Sequence, residues 1–234
     1  MTEIILSEKP LCRLIHGDCM EFMAGLGENA YDLAVVDPPY GIGEANEKKM
    51  QSRHHSQKKY KGGNWDSSSP DKMYFELLMK TSKDQIIWGA NHFISKIPVD
   101  SSCWIFWDKD QYGDFADGEL AWTSFKSAVR KFKFTWNGFR KQEQEDRFHP
   151  TQKPIALYKW LLSKYAKHGD TILGTHGGSM SSVIAAYDMG FDITCIELDK
   201  DYFDAAVKRI KRFMSEPKID FGATNTGGEQ TTLI

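Results

Sequence analysis

The chain has 234 residues, of which 30 are Lys or Arg and 32 are Asp or Glu, so its formal net charge is −2. Hydrophobic residues make up 41% and charged residues 26%, a balance typical of one globular domain with a substantial core. No apolar run approaches the roughly 20 residues that span a bilayer. The weak net charge excludes nucleic-acid binding through the overall charge of the molecule.

The cysteines and the N-terminus predict where the protein works. The four cysteines are scattered without a CxxC pair, so the sequence gives no support to a zinc site or a disulfide framework. Residues 1–9 lack the basic and apolar segments of a secretory signal. We therefore expect a cytoplasmic protein that binds no metal and no membrane.

The first half of the chain alternates apolar runs with helical patterns, which is typical of βα units in a mostly parallel sheet. Strands are predicted over Leu11–His16 and Asp32–Val36, with a short helix around Met20–Leu26 between them. The second strand is apolar throughout, as expected for a strand covered on both faces. It ends in Asp37-Pro38-Pro39-Tyr40, whose two prolines stop both the strand and any helix.

The middle of the chain is more polar. Gly41–Ser69 is predicted to be a long loop, and loops of this length in compact domains are usually functional or disordered. A helix is predicted from Pro70 to about Lys83, and strands over Gln85–Trp88 and Cys103–Trp107. Asp108–Phe148 has no clear pattern and is interpreted as an insertion on the core.

The last part of the chain returns to the βα pattern. The predicted elements are a helix from Pro154, a strand over Thr171–Leu173, a helix to about Met189, a strand over Ile193–Ile196 and a helix over Asp199–Ser215. Residues 217–234, rich in Thr and Gly, are predicted to form a flexible tail. No internal repeat is present.

A glycine-rich turn between a predicted strand and a predicted helix points to a nucleotide-like cofactor. The turn is Gly174-Thr175-His176-Gly177-Gly178-Ser179. Small residues let the backbone approach a ligand, and the helix N-terminus offers free N–H groups. Glu197 ends the next strand, where an acid accepts hydrogen bonds from ribose hydroxyls. Together they favour a ribosyl cofactor but do not choose between a dinucleotide and S-adenosylmethionine.

The turn Asp37-Pro38-Pro39-Tyr40 favours the second cofactor. It follows a strand's carboxyl end, where ligands bind in open α/β sheets. Asp37 and the Pro38 carbonyl offer two acceptors, and Tyr40 offers an aromatic face. These groups suit a planar amino group on a base. The plain structural alternative is a proline-rich turn with Asp37 as a cap.

Two basic stretches are candidates for DNA contact, because basic residues interleaved with aromatic ones suit phosphate contact and base stacking. The first comprises Lys48, Lys49, Arg53, Lys58, Lys59 and Lys61. The second comprises Lys126, Arg130, Lys131, Lys133, Arg140 and Lys141, interleaved with Phe132, Phe134, Trp136 and Phe139. Without the other motifs, a solvated face and a buried strand are the favoured explanations of these two stretches.

These motifs resemble those of the exocyclic-amino DNA methyltransferases, whose catalytic signature is Asp, Asn or Ser, then Pro-Pro and an aromatic residue. The catalytic motif precedes the cofactor loop, which resembles the circularly permuted order of the family's β class. His149-Pro150-Thr151-Gln152-Lys153-Pro154 resembles the family motif ahead of the cofactor loop, which implies that Thr151 and Lys153 contribute to the cofactor pocket. The resemblance covers roughly residues 11–213.

Further motifs strengthen the resemblance. His16-Gly17-Asp18 implies that Asp18 lies near the cofactor's adenine, and Glu197-Leu198 resembles the ribose-binding strand end. Ile87-Trp88-Gly89-Ala90-Asn91 with Trp107-Asp108-Lys109 is similar to small phage-type members. One departure concerns the cofactor loop, where the family commonly has Asp-Pro-Phe-x-Gly-Ser-Gly. Gly174, Thr175, His176 and Met180 replace its acid, proline, phenylalanine and last glycine.

The resemblance implies an α/β fold with a Rossmann-like, mostly parallel sheet and helices on both faces, in a methyltransferase domain over residues 1–216. It implies that the protein binds S-adenosylmethionine and double-stranded DNA and methylates adenine N6, because Asp stands first in the catalytic motif. Residues 110–148 would read the target site, and a homodimer is consistent with family relatives.

Several alternatives stay open at this point. One is methylation of cytosine N4, and another is methylation of a protein glutamine or an RNA base. A DNA-binding relative weakened in catalysis by its altered loop is a third. A dehydrogenase is the most distant, because the Pro-Pro-Tyr turn has no role in hydride transfer. C5 methylation of cytosine is disfavoured because the chain lacks a Pro-Cys pair.

Overall fold

The computed structural model describes residues 1–43, 66–110, 116–136, 149 and 151–216. Within these ranges five α-helices and nine strands are found. The helices are α1 (Cys19–Ala24), α2 (Lys72–Thr81), α3 (Ile155–Tyr165), α4 (Ser181–Met189) and α5 (Lys200–Ser215). The strands are β1 (Thr2–Glu8), β2 (Leu11–His16), β3 (Tyr31–Val36), β4 (Ser82–Trp88), β5 (Trp104–Asp108), β6 (Gly118–Thr123), β7 (Arg130–Lys133), β8 (Thr171–Gly174) and β9 (Asp192–Glu197).

The nine described strands form one sheet in the order β1-β2-β9-β8-β3-β4-β6-β5-β7. From β2 to β4 all neighbours are parallel, so their carboxyl ends lie at one edge of the sheet. Leu33 and Ala34 of β3 pair with Ile172 and Leu173 of β8. The predicted catalytic turn after β3 and the glycine-rich turn after β8 are therefore neighbours, although they are far apart in the sequence.

Alternate residues of the central strands pack on opposite faces of the sheet, as the two-residue strand period requires. Leu33 and Val35 belong to the hydrophobic cluster that contains side chains of α3, α4 and α5. Ala34 and Val36 belong to the cluster that contains side chains of α1 and α2. Helices thus cover both faces, which explains why β3 is apolar throughout.

Aspartates at the helix N-termini fix where three helices begin. Asp18 Oδ1 accepts from the backbone N–H of Met20 at 2.7 Å, and Asp71 Oδ1 accepts from that of Tyr74 at 3.1 Å. Asp199 Oδ1 accepts from the N–H of Asp201 at 2.8 Å in the same way. Such caps are each worth about 1 kcal/mol. The predicted start of the last helix at Asp199 is this cap.

Four elements differ from the sequence prediction. β1 runs antiparallel to β2 over residues 2–8, where no strand was predicted. β6 and β7 continue the sheet within Asp108–Phe148, so residues 118–123 and 130–133 are part of the core sheet and not an insertion on it. Their role in target recognition stays a prediction. The predicted helix from Pro70 ends at Thr81, because β4 begins directly at Ser82.

Two further findings bear on the predictions. No described helix has both the length and the apolar character to cross a membrane. No group of three His, Cys, Asp or Glu side chains suited to a metal ion occurs in the described part of the chain. The predicted tail over residues 217–234 lies outside the described residues.

Candidate active site

The site is assembled at the edge where the carboxyl ends of the parallel strands meet. Asp37 follows β3, Gly174 ends β8 and Glu197 ends β9. Gly17 joins this edge, because its backbone N–H donates to the Glu197 carbonyl at 3.0 Å. The sheet therefore brings the predicted catalytic and cofactor residues to one edge.

The Asp37 carboxylate is held through one of its two oxygens. Asp37 Oδ1 accepts from the Tyr40 hydroxyl at 2.9 Å and from Lys153 Nζ at 2.7 Å. No hydrogen bond to Asp37 Oδ2 or to the Pro38 carbonyl is found among the described residues. The turn thus fixes the carboxylate through one oxygen and presents two further acceptors.

Glu119 on β6 completes this cluster and was missed in the sequence analysis. Glu119 Oε2 lies 3.0 Å from Lys153 Nζ and 3.2 Å from the Tyr40 hydroxyl. Glu119 Oε1 lies 2.6 Å from Lys109 Nζ. The only sequence signal was an acid inside an otherwise apolar strand. Lys153, predicted at the cofactor pocket, contacts Asp37 and Glu119, and its side chain is only 3% exposed.

Burial and neighbouring charges have opposite effects on the pKa values of these groups, because burial opposes the charged form and an oppositely charged neighbour favours it. Burial raises the pKa of Asp37 above its ordinary value, although the Lys153 ammonium lowers it. Burial also opposes ionisation of Glu119, but Lys153 and Lys109 together lower its pKa to about 2. The pKa of Lys153 is raised, because Asp37 and Glu119 outweigh the effect of its burial. Two carboxylates and two ammonium groups therefore balance in this cluster.

The Tyr40 ring is positioned by a close backbone approach. Gly89, just after β4, has φ +69°, and a Cβ there would lie 2.0 Å from Tyr40 Cε1. The Gly89 N–H donates to the Leu120 carbonyl at 2.9 Å, which fixes this backbone against β6. One face of Tyr40 stacks on His92, with 5.1 Å between ring centroids. Lys153 Nζ also lies over the Tyr40 ring, 5.5 Å from its centroid.

The substituted positions of the glycine-rich turn form a polar chain. Thr175 Oγ1 lies 2.7 Å from the Tyr74 hydroxyl and 2.9 Å from His176 Nδ1. The His176 ring packs edge-on against Tyr74, with centroids 5.3 Å apart. Burial lowers the pKa of His176 to about 4, although Asp18 acts to raise it. His176 is therefore a neutral ring at physiological pH.

Met180 occupies the position of the family's last glycine and adopts a backbone conformation suited to glycine. Its φ is +52° and its ψ is 37°, in the left-handed region. Its side chain is fully buried in the core. A Cβ on Gly177 would lie 2.9 Å from Met180 Cε and 3.1 Å from the Ile196 carbonyl oxygen, so a side chain there would require both neighbours to shift.

Glu197 binds the backbone of the glycine-rich turn and the backbone at the start of α5. Glu197 Oε2 accepts from the Gly178 N–H at 2.6 Å, and Oε1 accepts from the Asp199 N–H at 2.8 Å. Burial raises the pKa of Glu197, although these N–H groups lower it. Ser179 lies beside this loop, and its carbonyl accepts from Arg209 Nη1 of α5 at 2.8 Å. The loop and the strand end are thus fixed relative to each other.

The remaining predicted cofactor residues lie around this loop. Asp18 is exposed at the start of α1, and the Leu198 side chain is 69% exposed beside Glu197. Thr151 Oγ1 lies 3.2 Å from His149 Nδ1. The His149 ring would be 3.6 Å from a Cβ built on Gly178, so the segment of Thr151 borders the glycine-rich turn.

Most of the predicted DNA-binding residues lie outside the described residues, namely Lys48, Lys49, Arg53, Lys58, Lys59, Lys61 and Arg140. Lys131 is described on β7, where its side chain is 60% exposed and lies 3.3 Å from Asp108 Oδ2. β7 runs parallel to β5, and Asp108 at the end of β5 precedes the Lys109 that contacts Glu119. Lys131 therefore lies beside the end of β5, near the sheet edge that also carries the predicted catalytic turn.

Comparison with known proteins links this arrangement to DNA methylation. A family model for N6 and N4 methyltransferases, described as "DNA methylase", matches residues 104–208. The type II methyltransferase M.HinfI of Haemophilus influenzae is 24% identical over 253 residues, covering 87% of this chain and 69% of that protein. YubD of Escherichia coli strain K12 is 24% identical over 224 residues, covering 86% of this chain and 90% of YubD.

Solved structures show the same fold. The M1.HpyAVI–SAM complex aligns with a TM-score of 0.54 at 21% identity, covering 84% of this chain and 98% of that one. The PvuII DNA methyltransferase (cytosine-N4-specific) aligns with a TM-score of 0.56 at 11% identity, covering 86% and 89%. The predicted Rossmann-like α/β fold is thereby confirmed. With its motifs in the permuted order on this fold, the chain resembles the N6 and N4 DNA methylases, the exocyclic-amino DNA methyltransferases, whose family model matches residues 104–208.

Proposed function

We propose that this chain transfers a methyl group from S-adenosylmethionine to the N6 amino group of adenine in double-stranded DNA. The observation that carries the proposal is the geometry of Asp37. Its carboxylate is held by Tyr40 and Lys153 through Oδ1, and Oδ2 and the Pro38 carbonyl have no hydrogen-bond partner among the described residues. Two adjacent acceptors match the two hydrogens of an exocyclic amino group.

The residues of the neighbouring turn fit S-adenosylmethionine. Gly177 carries no side chain and packs closely against Met180 and the Ile196 carbonyl, so the turn offers backbone to a ligand there. The Glu197 carboxylate, fixed by two backbone N–H groups, retains lone pairs for ribose hydroxyls. The exposed Leu198 side chain and the neutral His176 ring offer apolar and flat surfaces for an adenine. Asp18, Thr151, Lys153, Gly174, Thr175, Gly178 and Ser179 remain proposed cofactor contacts.

The chemistry follows from the placement of these groups. When bound, S-adenosylmethionine supplies a sulfonium methyl group that a neutral amine can attack. Asp37 Oδ2 and the Pro38 carbonyl accept the two amino hydrogens and draw the nitrogen lone pair out of conjugation with the ring. Transfer would replace the S–C bond by a C–N bond and release S-adenosylhomocysteine, and the extra proton of the nitrogen would pass to the Asp37 carboxylate and then to solvent. The protein contributes positioning and electrostatic alignment, without a covalent enzyme intermediate.

The target base must leave the helix to reach this turn. Flipping a base out of the stack costs a few kcal/mol. We propose that phosphate contacts from the basic segment Lys48–Lys61, and from Lys131 and Arg140, offset part of this cost. In this proposal residues 110–148 read the target site, and Tyr40 stacks on the flipped base.

Methylation of cytosine N4 is the second candidate. Its support is the shared fold with the PvuII enzyme, which is cytosine-N4-specific. Cytosine presents the same kind of amino group to the two acceptors, so the geometry of Asp37 alone suits both bases. Adenine is favoured by the aspartate in the first position of the catalytic motif, through the resemblance described above.

The test is incubation of the protein with radiolabelled S-adenosylmethionine and DNA of varied sequence, followed by nucleoside analysis. The expected product is labelled N6-methyladenine. Labelled N4-methylcytosine would support the second candidate instead. Calorimetry with S-adenosylmethionine gives the control, since absence of both binding and label would contradict the proposal and favour a DNA-binding relative without catalysis.

A further inference from the structure

Lys153 is shared between two carboxylates that come from different parts of the sheet. Its ammonium lies 2.7 Å from Asp37 Oδ1 and 3.0 Å from Glu119 Oε2. It also donates to the Tyr40 hydroxyl at 3.1 Å. If Asp37 were its sole carboxylate partner, the buried Lys153 ammonium would lie between both oxygens of Asp37. The second carboxylate, Glu119, instead draws the ammonium toward one of these oxygens. Glu119 therefore decides on which side of Asp37 the ammonium lies.

Glu119 is itself held in place from the outside. Lys109 Nζ lies 2.6 Å from its Oε1, which leaves Oε2 for Lys153 and Tyr40. The Glu119 and Lys109 side chains are 23% and 18% exposed, so solvent screens this pair only partly. Burying an unpaired charge is strongly unfavourable. The sequence Lys109, Glu119, Lys153, Asp37 is thus a chain of alternating charges that ends at the reacting carboxylate.

We propose that Glu119 is a positioning residue for methyl transfer, because it holds Lys153 and Tyr40 against Asp37 Oδ1 and so leaves Oδ2 directed at the target amino group. This inference rests on the proposed function. Without the charge of Glu119, the ammonium of Lys153 is free to bridge both oxygens of Asp37. The bridging ammonium then competes with the amino hydrogens of the base.

The groups that face Asp37 are few enough to interpret its titration. They are Lys153, Glu119, Tyr40, and the hydroxyls of Tyr74 on α2 and Tyr158 on α3. Burial raises the pKa of each of the three tyrosines well above its ordinary value, so they stay neutral. Among the described residues, the charges that act on Asp37 are therefore those of Lys153 and Glu119, and Lys109 acts through Glu119.

The test compares Glu119→Gln, Lys109→Gln and the control Glu3→Gln in the full chain. Glu3 forms an ion pair of 2.6 Å with Arg13 on β1 and β2, at the opposite end of the sheet. Two quantities are measured, namely kcat and KM for methyl transfer, and the pKa of Asp37 by NMR of ¹³C-carboxyl-labelled aspartate. Asp37→Asn assigns the Asp37 signal.

In Glu119→Gln we expect kcat to fall about 10- to 100-fold, as for an ångström-scale misplacement of reacting groups, with KM for S-adenosylmethionine unchanged. The pKa of Asp37 falls, because a negative charge has gone and Lys153 turns to Asp37. In Lys109→Gln the pKa of Asp37 rises, because Glu119 loses its outer partner and takes more of Lys153. A merely structural disturbance would shift the pKa of Asp37 in the same direction in both variants. In the control Glu3→Gln we expect neither kcat nor the pKa of Asp37 to change.

Glu119→Gln with the kcat of the wild type would overturn the inference, as would an unchanged Asp37 pKa in that variant. If the wild type itself transfers no methyl group to DNA, the proposed function fails. The titration then decides the inference alone, since opposite shifts in the two variants support the charge chain and equal shifts refute it.

Discussion

Replacing Gly89 with alanine tests whether Tyr40 must occupy its observed position. The new Cβ would lie 2.0 Å from Tyr40 Cε1 and 2.4 Å from Cδ1 and Cζ. The backbone at Gly89 cannot easily yield, because its N–H donates to the Leu120 carbonyl at 2.9 Å. The ring must therefore move by more than an ångström to reach ordinary contact.

Two separate costs follow from this change. Gly89 has φ +69°, and an L-residue in this region costs about 1–2 kcal/mol. The displaced ring also withdraws its hydroxyl from Asp37 Oδ1. Since a misplacement of about 1 Å can reduce a rate about 100-fold, we expect a loss of kcat of that order. Binding of S-adenosylmethionine should change little, because Gly89 lies after β4 and not in the glycine-rich turn.

Gly190→Ala is the matched control. Gly190 has φ +79°, and a Cβ there would meet nothing within 4 Å. It caps the C-terminus of α4, so this variant loses stability through its backbone conformation alone, without a steric clash. Thermal unfolding, calorimetry and kcat are measured for both variants. Equal loss of stability with loss of kcat only in Gly89→Ala supports the reasoning, whereas wild-type kcat in Gly89→Ala would refute it.

Three further predictions follow from the pKa shifts and the altered turn. Because burial raises the pKa of Asp37 and methyl transfer needs its ionised form, kcat should fall with decreasing pH through a limb above about pH 4; a rate that is flat down to pH 4 would contradict this. His176→Ala should weaken S-adenosylmethionine binding about tenfold by calorimetry, as the loss of one ring contact implies, while His176→Phe should not; equal affinities of both variants would exclude His176 from the pocket. Met180→Gly relieves about 1–2 kcal/mol of left-handed strain but removes a fully buried side chain worth about 2–5 kcal/mol, so denaturant unfolding should show net destabilisation. A stabilised variant would mean that the strain is the larger effect.

Local patterns predicted the elements that carry the motifs. β3 is a continuous apolar run closed by two prolines, so its end and the position of Asp37 could be predicted. The strands before the glycine-rich turn and before Leu198 are also short apolar runs, and both were placed to within one residue of their ends. These features depend on residues that are neighbours in the sequence, so a single sequence is enough to predict them.

Glu119 could not be predicted in this way, because its partners lie in other elements. Lys109 directly follows the neighbouring strand β5, and Lys153 lies far along the chain. Within β6 the glutamate only interrupts an apolar pattern, and such an interruption usually indicates a surface position.

β1 was missed for a different reason. It is an edge strand with mostly exposed or half-buried residues, so it lacks the apolar signal of the central strands.

The central claim is that Asp37 aligns an exocyclic amino group for methyl transfer. Its most direct test measures methyl transfer to DNA by Asp37→Ala beside the affinity of the same variant for S-adenosylmethionine. We predict that the variant binds S-adenosylmethionine and transfers no methyl group, while the wild type labels N6 of adenine. Turnover by Asp37→Ala at a rate near that of the wild type would contradict the role given to this carboxylate.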